Sequence, residues 1–327
     1  MPRRTILPDA RTQPRFSGIA TFCRFPRLQD VAPENLPLDW ALFGVPYDGG
    51  VTYRPGTRFG PRGIREASQY IKRFSMEHGV DITAELSMAD AGDAPVSPFS
   101  AEETLKSVCD FGLTLGDRAA TKLLAVGGDH SIAYANIRAT FEKSGRPAAG
   151  LGLIHFDSHL DTVDAVWGNK WGHASPFRRA IEEGLVDPHK MISIGIKSPL
   201  NNASDLDFAR SSGVTIVTDP ELRTGGQFGA RVVEFVKKLA DNPTYLSFDI
   251  DVFDPAFAPG TGTPAIGGFT SVEGLALLRG LRGLRLAGAD VVEVLPDRDP
   301  AGITALLASQ VIFEILALDA ASKAVRI

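Results

Sequence analysis

Three short stretches set carboxylates and imidazoles close together: Gly127-Gly128-Asp129-His130-Ser131, Asp157-Ser158-His159-Leu160-Asp161 and Asp249-Ile250-Asp251. Each follows an apolar run, 122–126 (KLLAV), 150–156 (GLGLIHF) and 244–248 (TYLSF). The spacing i, i+2, i+4 predicts Asp157, His159 and Asp161 on one side of an extended chain, and Asp249 and Asp251 likewise. So many like charges at the ends of buried strands are strongly unfavourable unless cations bind among them. Carboxylate and imidazole donors without thiolate suit Mn²⁺ or a similar first-row divalent ion better than a structural zinc site. Two such ions balance the four carboxylates Asp157, Asp161, Asp249 and Asp251. A single DxD or DxHxD also serves as a turn or cap; the coincidence at three strand ends favours chemistry. Asp129 and Asp254 lie in Gly- or Pro-bearing turns and read as loop braces. His155 reads as a satisfied core histidine, and His78 and His189 fall in polar connections without an evident partner.

These residues need a frame that brings strand ends together. Apolar runs recur near 40–45, 86–90, 122–126, 150–156, 191–196, 213–217, 244–248 and 288–294, which predicts eight strands. Several are apolar nearly throughout, as in parallel strands covered on both faces. Helical patterns lie near 61–71, 101–119, 131–143, 175–184, 228–240, 271–282 and 301–318. Ser175-Pro176 opens one of them with a capping hydroxyl and Pro at the first helical position. The alternation predicts a three-layer α/β/α sandwich around a mostly parallel eight-stranded sheet, with ligands at the carboxyl ends of the strands. Residues 1–35 read as an irregular arm and 36–327 as a single catalytic domain, since no linker, low-complexity tract or repeat divides them.

Composition narrows the function. The chain has 327 residues, 44% hydrophobic and 22% charged, enough for a sizeable core. Thirty-four Lys and Arg against 39 Asp and Glu give a net charge of −5, which argues against nucleic acid as a partner. No apolar run is judged to reach the ~20 residues of a membrane-spanning helix, so no membrane is expected. The basic start MPRRTILPDARTQPRF is broken by Pro8 and Pro14 and lacks an apolar core, unlike a secretory signal. Cys23 and Cys109 match no disulfide or thiolate metal spacing, and a reducing cytoplasm is the expected location.

In order, GGDHS, DSHLD and SFDIDVFDP resemble the ureohydrolase family, which includes arginase, agmatinase and guanidino-acid hydrolases. The resemblance extends over most of the chain from about Ala41. GVPYDGGVTYRPGTRFGPRGIREAS (44–68), DPAFAPGTGTPAIGG (254–268) and DPAGITALLAS (299–309) look more like its agmatinase branch. It implies an arginase-like fold and two divalent ions per chain, manganese the first choice and nickel the second. One ion would be held by His130, Asp157, Asp161 and Asp249, the other by His159, Asp157, Asp249 and Asp251, with Asp157 and Asp249 bridging. Two cations lower the pKa of bound water and supply a nucleophile for the guanidinium carbon near neutral pH. The resemblance gives Asp161 the role of proton acceptor and His173 that of proton shuttle to the leaving amine, for which an imidazole is suited. Glu293 matches a carboxylate that pairs with the guanidinium, a planar fork suited to a carboxylate. It also suggests a homo-oligomer, trimer or hexamer.

The implied reaction converts a guanidino compound and water into urea and an amine. Agmatine, giving putrescine, leads; guanidinobutyrate, guanidinopropionate, free guanidine and an N-alkylated guanidine of the biguanide type stay open. His173-Ala174-Ser175 and Leu295-Pro296-Asp297-Arg298-Asp299 depart from the agmatinase pattern and bear on specificity. Trp167 and Trp171 bracket the loop before His173, where they either enclose a substrate or pack against a neighbouring subunit. A non-catalytic assembly subunit would lose metal ligands, and none is lost. A deacetylase-like enzyme with one zinc would not need Asp161 or the Asp249/Asp251 pair. A nucleotide binder would show a GxGxxG or P-loop run after the first strand.

Overall fold

The computed structural model describes residues 4–224, 228–239 and 241–324. The first three residues of the basic N-terminal stretch, and Ala240 at the end of the expected 228–240 helix, lie outside the described residues. All eight expected strands form, with ends shifted by a few residues: β1 (Trp40–Gly44), β4 (Met88–Asp93), β5 (Lys122–Val126), β6 (Leu151–Phe156), β7 (Val186–Ile196), β8 (Thr215–Thr218), β9 (Thr244–Asp249) and β10 (Leu286–Val292). They build one sheet in the order β4-β1-β5-β10-β9-β6-β7-β8, and every pairing is parallel. β1, β6 and β9 are buried along their whole length, which accounts for their unbroken apolar character. A two-residue hairpin, β2 (Phe74–Ser75) and β3 (Val80–Asp81), stands apart from the sheet and escapes sequence reading because it is so short.

Helices cover both faces. On one, α1 (Gly60–Ala67), α8 (Ala230–Lys238), α9 (Ser271–Arg279) and α10 (Ile303–Ala324) share a core with Leu124, Phe156, Leu246 and Val291. On the other, α3 (Ala101–Thr114), α4 (Ile132–Lys143), α5 (Pro176–Glu182) and α6 (Asp207–Ser212) pack over Ala125, Leu153, Met191 and Tyr245. The result is the α/β/α sandwich that the periodicity predicts. Two further short helices, α2 (Ile82–Glu85) and α7 (Asp219–Arg223), were not expected, nor was α6.

Three expectations need correction. The segment Pro300–Ala324 is long enough to cross a membrane and contains an 18-residue stretch apolar enough to do so, with mean hydropathy 1.9, contrary to the expectation from the sequence. Two thirds of that stretch is buried against the protein, chiefly α1, α9 and the hairpin side, so its apolarity serves the core. The Ser175 hydroxyl makes no capping bond, although Pro176 does open α5. Among its described residues the N-terminal arm is irregular, with single-turn 3₁₀ segments, and it is fastened to the rest of the chain: Phe22, Cys23 and Phe25 belong to the core and Thr5 Oγ1 donates to Leu86 O at 2.6 Å. His189 lies within β7 rather than in a connection.

Candidate metal centre

The residues singled out by spacing converge at the carboxyl edge of four consecutive strands, β5, β10, β9 and β6. After β5 the chain reverses through Gly127 and Gly128 at φ 73° and 79°, a conformation that favours glycine. A Cβ on Gly128 would lie 2.5 Å from Val45 O and 2.8 Å from Tyr47 O, so the tight turn delivers His130 into the centre of the edge. Asp157 directly follows β6, and Asp249 ends β9.

The extended alternation expected for the acidic motifs is not what places them. Asp157 Oδ1 accepts the His159 amide at 2.6 Å and Asp249 Oδ1 accepts the Asp251 amide at 2.8 Å, so each i, i+2 pair is a side-chain-closed turn. Asp161 adopts φ 52°, a left-handed conformation unusual for a residue with a side chain. These bends, rather than a straight strand, gather the side chains.

Around His130 Nδ1 stand Asp161 Oδ2 at 2.9 Å, Asp157 Oδ2 at 3.1 Å and Asp249 Oδ2 at 3.2 Å. On the far side of the ring, Nε2 lies 2.8 Å from Ser247 Oγ, which donates to Asp290 Oδ1 at 2.7 Å. Ser247 has thus spent its hydrogen on Asp290, so His130 Nε2 carries the ring proton and Nδ1 is left a bare lone pair. A lone pair facing three carboxylate oxygens demands a cation, and this donor set fits a divalent ion of the first row. Without an ion the same three carboxylates favour a proton at that nitrogen instead: burial opposes charge on His130, but Asp157, Asp161 and Asp249 raise its pKa well above the usual value, so a proton and a metal cation compete for Nδ1.

A second group adjoins the first. His159 Nδ1 lies 3.2 Å from Asp251 Oδ2 and 3.3 Å from Asp157 Oδ1, and these three residues offer converging donors. Asp157 therefore faces both groups, through different oxygens. Asp249 is buried beside Asp251 and Asp157, and burial followed by those two charges pushes its pKa well above the carboxylate range. Asp157 goes the other way: against its burial, hydrogen bonds with His130, His155 and His159 hold it well below that range. Lys197, after β7, donates to the Asp251 and Val252 carbonyls at 3.2 and 3.0 Å and to the Ser158 hydroxyl, tying the two acidic turns together.

His173 and Glu293 meet beside this centre. Glu293 follows β10 with φ 65°, and its Oε1 accepts His173 Nδ1 at 2.9 Å and the His130 amide at 2.9 Å. Its other oxygen is buried without a partner among the described residues. A cavity of about 460 Å³ opens over the edge, walled by Thr52, His159, Asp161, His173, Asp249 and Trp167 among others; Glu293 lies behind His173 rather than in that wall.

Sequence reasoning missed several participants. His155 is buried as expected, but Nε2 lies 2.8 Å from Asp157 Oδ2, so it supports a proposed ligand. Its position two residues before Asp157 on the same strand was the available signal. Ser247, Asp290 and Lys197 were not singled out, and no spacing rule marks them. Asp129 and Asp254 do brace loops, accepting amides of Gly50 and Ser131, and of Ala256 and Gly267. His78, for which the sequence named no partner, has its side chain buried with Nδ1 3.1 Å from Arg282 Nε and Nε2 3.6 Å from Glu314. Of the two tryptophans, Trp171 packs within its own chain, with Nε1 2.8 Å from Glu102 Oε1 and its ring 5.2 Å from Tyr134, whereas Trp167 stays exposed at the cavity rim.

Comparison with known proteins places this geometry among relatives. The sequence profile of the arginase family matches residues 38–318. Guanidinopropionase of Pseudomonas aeruginosa is 44% identical over 97% of this chain and 96% of its own length. The mitochondrial agmatinase of Gallus gallus is 36% identical over 96% of this chain and 89% of its own. The solved structure of proclavaminate amidinohydrolase from Streptomyces clavuligerus superposes with TM-score 0.86 at 40% identity, covering 95% of this chain and all of the other.

Proposed function

The chain belongs to the arginase family of hydrolases, which act on guanidino C–N bonds, and from that premise we propose that it releases urea from agmatine at a centre of two divalent ions. The observation that carries this reading is the bare Nδ1 of His130 among the carboxylates of Asp157, Asp161 and Asp249, beside the His159, Asp157 and Asp251 group. His130, Asp157, Asp161 and Asp249 would hold one ion, and His159, Asp157, Asp249 and Asp251 the other. The pair, when bound, supplies an ionised water near neutral pH. Manganese is the first choice for these oxygen and imidazole donors and nickel the second.

The chain's own residues do the rest. Asp161, facing the cavity, accepts a proton as the guanidinium carbon is attacked. His173, fixed by Glu293, delivers one to the departing amine nitrogen. Glu293 stands outside the cavity wall and orients His173; the guanidinium pairing that the family resemblance implies would need its unpartnered oxygen to turn toward the cavity.

For the substrate tail, the cavity wall includes the Asp205 carboxylate and the exposed Trp167 ring, and no Lys or Arg among the described residues. An acid and an aromatic face suit a cationic tail, which favours agmatine. A second reading, a guanidino acid, is favoured by the higher identity to guanidinopropionase. A urea-release screen across agmatine, guanidinopropionate, guanidinobutyrate, arginine, guanidine and alkylated guanidines, with manganese or nickel supplied, decides between them. Absence of urea from every one of these would overturn the reading.

A further inference from the structure

His173 is held from two sides. Nδ1 faces the carboxylate Oε1 of Glu293, so Nδ1 carries the ring proton and donates. Nε2 faces Thr52, whose backbone N–H lies 3.1 Å away and whose Oγ1 lies 2.8 Å away. The loop that brings Thr52 there is fastened on both sides. Gly50 N donates to Asp129 Oδ2 at 2.7 Å, and Gly50 O accepts the His173 amide at 3.0 Å. Asp48 accepts the Gly56 amide at 2.7 Å and Arg58 Nε at 2.5 Å. The fit is close, since a Cβ on Gly50 would stand 3.0 Å from Asp129 Oδ2 and 3.1 Å from His173 N.

The two contacts of Thr52 respond differently to a proton on Nε2. The backbone N–H can only donate, so it suits the neutral ring and opposes the imidazolium. The hydroxyl donates to the neutral ring and, after rotation, accepts from the charged one. On accepting, it turns its own hydrogen away from His173, and Thr52 is part of the cavity wall beside His159, Asp161 and Asp249.

We propose that Thr52 is a proton-relay residue: its hydroxyl accepts the Nε2 proton of His173 while giving its own hydrogen to the departing amine nitrogen in the cavity. The exchange leaves the imidazole neutral and the hydroxyl restored, and the proton derives from the water consumed in hydrolysis. The backbone N–H then holds the neutral ring in place for the next cycle. This inference rests on the amidinohydrolase reading above and adds a residue to it. The charged groups facing His173 are Glu293, Asp161 and Asp129, and none is altered by substitution at Thr52.

The test compares Thr52→Val, Thr52→Ser and the unaltered protein, all metal-loaded, for urea release across pH. Thr52→Val is expected to lower kcat by about tenfold or more with KM little changed, since a positioned proton donor contributes ~10²–10⁴ in rate and a water can substitute in part. Its alkaline limb should move to lower pH, because the imidazolium loses an acceptor. Thr52→Ser should recover both kcat and the limb. Equal loss in both variants with an unmoved pH profile would mark a purely structural role and overturn the relay. So would unaltered kcat in Thr52→Val. Metal content and circular dichroism identify a misfolded variant, in which case Thr52→Ala replaces Thr52→Val. Failure of the unaltered protein to release urea would instead sink the underlying reading.

Discussion

Nε2 of His155 stands 2.8 Å from Oδ2 of Asp157, while its Nδ1 lies 3.0 Å from Ser193 Oγ on the neighbouring strand β7. The imidazole thus donates to the carboxylate that faces both donor groups and is itself oriented by a hydroxyl. Partners of this kind fix a ligand's direction and are worth about 10–100-fold in metal affinity. His155→Ala is expected to weaken metal binding by about that factor, read by competition with a chromogenic chelator. Equal affinity in the variant would refute the orienting role.

Asp157 and Asp249 each stand within 3.2 Å of His130 Nδ1, and Asp157 also faces His159. Asp157→Ala or Asp249→Ala should therefore remove metal and abolish urea release together. Elemental analysis of the purified variants is the check, and full turnover in either would end the proposed ligand assignment.

Burial pulls the His173 imidazole down, but the Glu293 carboxylate overrides it and lifts its pKa to about 9. A folded-state pKa raised above the unfolded value of ~6.5 gives stability that is fully present below pH ~6.5 and lost as pH rises through ~9. The contribution is at most about 3 kcal/mol, an upper figure because the Thr52 N–H favours the neutral ring. In metal-free protein, Glu293→Gln should flatten the fall in urea-denaturation midpoint between pH 6.5 and 9. Parallel curves for the two proteins would contradict the pairing.

Gly128 combines φ 79° with two carbonyl oxygens where a Cβ would stand. Gly128→Ala should cost roughly 1–3 kcal/mol from backbone strain, with further loss from the clash. Because His130 lies two residues on, the same change should also reduce metal content. Thermal unfolding and metal analysis test the two consequences separately, and an unaltered melting point would disprove the first.

Much of the frame was legible because a parallel sheet writes itself as apolar runs. β1, β5, β6 and β9 are nearly continuous in hydrophobic residues, so they stand out, whereas the hairpin at Phe74–Ser75 and Val80–Asp81 is too short to show a period. α6 and α7 have six and five residues, fewer than two helical turns, and were missed for the same reason. In the site, residues adjacent in sequence were found by spacing. Those adjacent only in space were not: Thr52 is 121 residues from His173, and Ser247 is 117 from His130. His155 is the satisfied core histidine expected, but its support of Asp157 did not show, because one burial state serves both a packing residue and a ligand's support.

The proposed ligand strands β5, β9 and β6, with β10 between β5 and β9, occupy the middle of the sheet rather than its margins. Mutual repulsion among Asp157, Asp249 and Asp251 is therefore imposed by the hydrophobic core and cannot relax by spreading the strands. Occupancy by cations then adds to thermal resistance by mass action, in proportion to the logarithm of free ion concentration. In a chelated preparation a proton on Asp249, whose pKa burial and its neighbours raise, would take over part of the cations' task, and shelf life would follow the acidity and ionic make-up of the buffer.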